Sequence, residues 1–75
     1  MTTRAAFLAA YRAKVMAFPW AQQNPGKATL FMSAVEETLK GGQTIWAWDG
    51  PMAKVTWKEI GCKGKMTLKG LRALP

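Results

Sequence analysis

Histidine is absent from this chain, cysteine occurs once, and Asp plus Glu number only four. Those shortages remove most enzyme chemistry. Without imidazole there is no ordinary side chain that exchanges a proton near neutrality. A lone Cys62 cannot close an internal disulfide, and with no His to join it the usual zinc ligand sets are missing too. Lys63 and Lys65 beside Cys62 favour a lowered thiol pKa, but no base or orienting partner of the triad kind accompanies it. Glu36 and Glu37 are adjacent on a helical stretch and diverge, while Asp49 is best used as a helix cap. The sequence therefore predicts no catalytic residue, no metal site and no cofactor. Cys62 reads as a plain thiol in a reducing compartment.

Long apolar runs are also missing. The run AAFLAAY after Arg4 is broken by Arg12, too short for the core of a secretory signal or a membrane span. The helical pattern continues through Lys14. This acid-free start reads as a structural helix of a soluble, cytoplasmic protein with no membrane partner.

Positive charge is what the chain has in plenty. Eleven Lys and Arg against four acids leave +7. No acid occurs before Glu36 or after Glu59, and Lys63, Lys65, Lys69 and Arg72 follow one another without a counter-charge. A field of that sign draws in polyanions or the acidic face of a protein. Solubility alone is the plainer account of such a charge. Seventy-five residues, 49% of them apolar with four Trp and three Phe, make one folded domain over 1–75 with a small core.

Periodicity predicts an all-α domain of four helices. Thr3 caps the first, over residues 4 to about 18, with Phe7, Tyr11, Val15 and Phe18 on one face. Pro19 ends it, and Trp20 in the following linker folds back as a lid on the core. Asn24 and Pro25 start the second, which runs to about residue 40 with Ala28, Phe31, Met32, Val35 and Leu39 inward. Gly41 and Gly42 stop it. Residues 44–48 form a short, extended, Trp-rich segment. The third helix spans 51–60, after an Asp49 cap, with Ala53, Trp57 and Ile60 on one face and Lys54 and Lys58 on the other. Gly61 closes it. Thr67 caps a last short helix with Leu68 and Leu71 inward and Lys69 and Arg72 outward. Two longer helices thus precede two short ones joined by a basic, Gly-rich turn.

That turn is where any site should be sought. Gly64-Lys65 before a helix superficially suggests a phosphate loop, yet Glu59 stands where the first Gly is required and Met66 where Ser or Thr is required. The surviving expectation is a general anion site of backbone N–H groups beside Lys63 and Lys65. A helix-turn-helix reading of the last two helices is poor. The turn is too long, and the outward residues of the last helix offer no Asn or Gln to read adenine. Lys contacts phosphates without reading bases. Trp46 and Trp48 are either core or a platform for unpaired bases or a protein partner.

The run WDGP…TWKEIGCKGKMTLKGLRALP resembles short, uncharacterised accessory proteins encoded by bacteriophages and prophages, with weaker similarity upstream. That resemblance implies action on host machinery in the bacterial cytoplasm, a class that includes inhibitors of defence such as anti-CRISPR proteins. Blockers that mimic DNA are acidic, and this chain departs from them. The expectation is a non-enzymatic protein presenting Lys54, Lys58, Lys63, Lys65, Lys69 and Arg72, with Trp46 and Trp48, to sequence-tolerant nucleic acid. The alternative is an inhibitor docking on an acidic host protein surface.

Overall fold

A computed structural model of the chain describes residues 2–42 and 50–75. Five helices occur among them, with no strand: α1 Arg4–Met16, α2 Pro19–Gln23, α3 Pro25–Leu39, α4 Pro51–Glu59 and α5 Leu68–Arg72. The all-α class is as expected from the periodicity. The count of four is corrected to five, because the predicted linker after Pro19 is itself a helix. The extended segment at 44–48, with Trp46 and Trp48, and the Asp49 cap lie outside the described residues.

α1 is the central element, packing against α2, α3 and α4. Thr3 Oγ1 accepts the Ala6 N–H at 3.0 Å and starts the helix. Phe7, Tyr11 and Val15 are buried on its inner face. Phe7 stacks on Tyr11 at 5.7 Å between ring centroids, and Tyr11 on Phe31 of α3 at 6.3 Å. Such pairs add about 0.5–1.5 kcal/mol each beyond the area they bury. From α3 come Ala28, Met32, Val35 and Leu39, from α4 Ala53 and Trp57, and beyond them Ile60, Met66 and Leu71, all in one core.

Phe18 and Trp20 depart from the expected pattern. α1 ends at Met16, and Phe18 becomes the residue before α2 with extended backbone, φ −75° and ψ 138°. Pro19 forces that geometry on its predecessor. The helical register of α1 is lost there, so Phe18 is 52% exposed instead of joining the inner face. Trp20 on α2 is 48% exposed and is no lid.

α3 and α4 end in the same way. Gly41 at φ +93° lets its own N–H reach the Thr38 carbonyl while Gly42 N–H reaches that of Glu37. Gly61 at φ +94° likewise pairs with Lys58, and Cys62 with Trp57. These paired bonds satisfy carbonyls that a helix end leaves open, and the left-handed turn suits glycine. Asn24 precedes α3 but makes no side-chain cap; its Nδ2 donates back to the Trp20 carbonyl. Gly50 holds the corresponding place before α4, also without a side-chain cap.

Candidate functional site

Trp57 arranges the basic turn. Its ring lies in the core face of α4, 8% exposed, and its Nε1–H donates to the Gly64 carbonyl at 3.1 Å. Gly64 itself sits at φ +77°, a conformation that costs an ordinary L-residue energy. On the far side, Gly70 of α5 comes so close that an added Cβ would lie 3.2 Å from Trp57 Cη2. One indole therefore joins α4, the turn after it and α5. Thr67 Oγ1 accepts the Gly70 N–H at 3.0 Å and caps α5, as its position predicts.

The result is an open cleft of about 520 Å³, lined by Lys54, Trp57, Lys58, Gly64, Lys65 and Met66. Lys54 and Lys58 stand one turn apart on the exposed side of α4, and Lys65 comes from the turn. Among the described residues none of the three has an ion-pair partner. Glu59, the acid nearest in sequence, is held by Lys14 of α1, Nζ to Oε2 at 2.7 Å. Glu36 is similarly shared with Lys40. The fold thus holds Glu59 away from the cleft lysines, which have no ion-pair partner among the described residues.

The other predicted basic residues divide. Lys63 and Lys69 are exposed but do not line the cleft. Arg72, expected outward, is turned back: its Nε donates to the Thr38 carbonyl at 2.9 Å and Nη2 to the Gly42 carbonyl at 3.1 Å. It closes the C-terminal end of α3, where carbonyls lack helical partners and cations are favoured. Periodicity could place Arg72 on the outer face of α5 but could not show that the end of α3 lies there.

The thiol's surroundings outweigh its basic neighbours in the sequence. Partial burial pushes Cys62 above its ordinary pKa, against the lowering that Lys63 and Lys65 suggested. Among the described residues no cluster of His, Cys, Asp or Glu is grouped to hold a metal ion. No described helix is long and apolar enough to cross a membrane.

A second surface feature escaped the sequence reading. Val15, Phe18, Trp20, Phe31 and Met52 line an apolar hollow of about 340 Å³. Its signal was Pro19, which breaks the helical register just where Phe18 was assigned inward. Compared with known proteins, the chain matches no protein-family model, no curated protein and no solved structure.

Proposed function

We propose that this is a non-enzymatic binding protein that engages nucleic acid, without sequence preference, through Lys54, Lys58 and Lys65. The observation that carries the reading is the cleft itself: three lysines converge on it and the neighbouring acid is paired elsewhere. Lysines of that kind neutralise phosphates and release counterions. Lys63 and Lys69 extend the same field. The resemblance of the C-terminal half to phage accessory proteins supports an origin in a bacteriophage and a role in the host cytoplasm.

Binding to a fluorescent duplex should weaken as salt rises, with a log–log slope of about −0.9 for each phosphate neutralised, hence about −2.7 for three contacts. The Lys54→Glu, Lys58→Glu, Lys65→Glu variant should lose binding and most of that slope while keeping its helical circular dichroism. Tight binding with a flat salt response would defeat the mechanism.

A second reading, inhibition of a host protein by direct contact, is favoured by the exposed Phe18 and Trp20 around the apolar hollow. Exposed aromatic anchors concentrate interface energy. A bacterial protein retained after nuclease treatment, and lost with Phe18→Ser, Trp20→Ser, would decide for it.

A further inference from the structure

We propose that the cleft between α4 and the turn after it holds an unpaired nucleotide, its base inside and its phosphates on the lysines. This rests on the nucleic-acid reading above and makes it specific for single strands. The cleft's about 520 Å³ falls within the range of pockets that enclose small organic ligands. A track for phosphates alone would need only a charged surface. Here three lysines line the cleft together with Trp57, Gly64 and Met66, and a lysine side chain carries an apolar stem beneath its ammonium group.

The polar atom of the indole is already committed, because Trp57 Nε1–H is bonded to the Gly64 carbonyl. A base entering the cleft therefore has Trp57 and Met66 as its apolar neighbours, and a thioether makes favourable contacts with aromatic rings. Among the described residues no Asn, Gln, Asp or Glu lines the space, and none of those lining it offers a side-chain amide or carboxylate to read the base edge. The expected binding depends on having a base and tolerates which base it is, in the manner of sequence-tolerant single-strand binders. A base within a duplex is stacked and cannot enter without being extruded.

The test is fluorescence anisotropy of the full chain at low salt against three probes of equal length. They are a mixed-sequence DNA strand, the same strand with abasic sites throughout, and its duplex. The intact strand should bind at least about tenfold more tightly than either of the others, the scale of one base stack. In nitrogen-edited NMR spectra the Trp57 indole and Gly64 amide signals should shift with the intact strand and stay still with the abasic one. Equal affinity for all three probes would overturn the nucleotide pocket and leave phosphate binding standing. An intact-strand preference with the Trp57 and Gly64 signals unmoved would place the base elsewhere and equally overturn the pocket. No binding to any probe would remove both.

Discussion

Arg72 shows how one side chain changes meaning between sequence and fold. By spacing it belongs to the outer, basic face of α5. Its guanidinium instead spans two carbonyls, Thr38 and Gly42, at the end of α3. A planar fork with several N–H donors suits that task, whereas a lysine ammonium on a flexible stem does not reproduce it. Arg72→Lys keeps the charge and should cost about 1–2 kcal/mol, because hydrogen bonds involving charged groups are the stronger kind. In a domain of this size that corresponds to a Tm fall of about 5–15 °C, to be read by thermal circular dichroism. The salt slope of DNA binding should stay unchanged, since Arg72 is not among the cleft lysines. An Arg72→Gln variant with unchanged Tm and a shallower slope would return Arg72 to the binding face.

At the scale of elements, the paired glycine endings decide where α3 and α4 stop and therefore where the basic turn begins. Gly61 lies at φ +94°, with only a distant Thr2 methyl near a hypothetical Cβ. Space is available, so the penalty of Gly61→Ala is conformational, about 1–2 kcal/mol for an L-residue in the left-handed region. Chemical denaturation should show that loss. Hydrogen exchange should quicken at the Gly61 and Cys62 amides, which close the end of α4. Gly42 differs, because an added Cβ would meet the Glu37 carbonyl oxygen at 2.9 Å, a clash that backbone must absorb. α2 makes the opposite point. A five-residue helix has little stability alone; Ala21, fully buried, anchors it to the core while Trp20 remains outside.

At the scale of the whole molecule, the five helices share one core, and the chain's only tyrosine lies in its centre. Burial raises the Tyr11 phenol above its ordinary pKa of 10.0, since the phenolate loses hydration there. A pKa raised in the folded state leaves its contribution intact below the unfolded value and removes it as pH climbs through the folded one. The Tyr11 contribution to stability should therefore be constant through neutrality and fall above about pH 10. Phenolate absorbance follows this single group directly. Its midpoint should lie above that of a free tyrosine while the protein is folded, and return to the ordinary value in denaturant. A folded-state midpoint at or below the free value would contradict the burial of the ring.

Local chemistry was legible without the fold: the inner residues of α1 and α3, the Thr3 and Thr67 caps, the glycine stops, and Lys54 beside Lys58 on one side of α4. Each depends on neighbours within a helical turn or on the backbone preference of one residue. The absences were equally local, because a chain without histidine lacks imidazole chemistry however it folds. Tertiary structure alone decided which cations are free. Glu59 has no lysine three or four residues before it in α4, and Lys14, forty-five residues away, holds it; Arg72, thirty-four residues from Thr38, is claimed by another helix's end. Charge and carbonyl partners act through space. Only packing α1 on α4 and α5 on α3 determines which of the chain's many positive charges remain to meet a ligand.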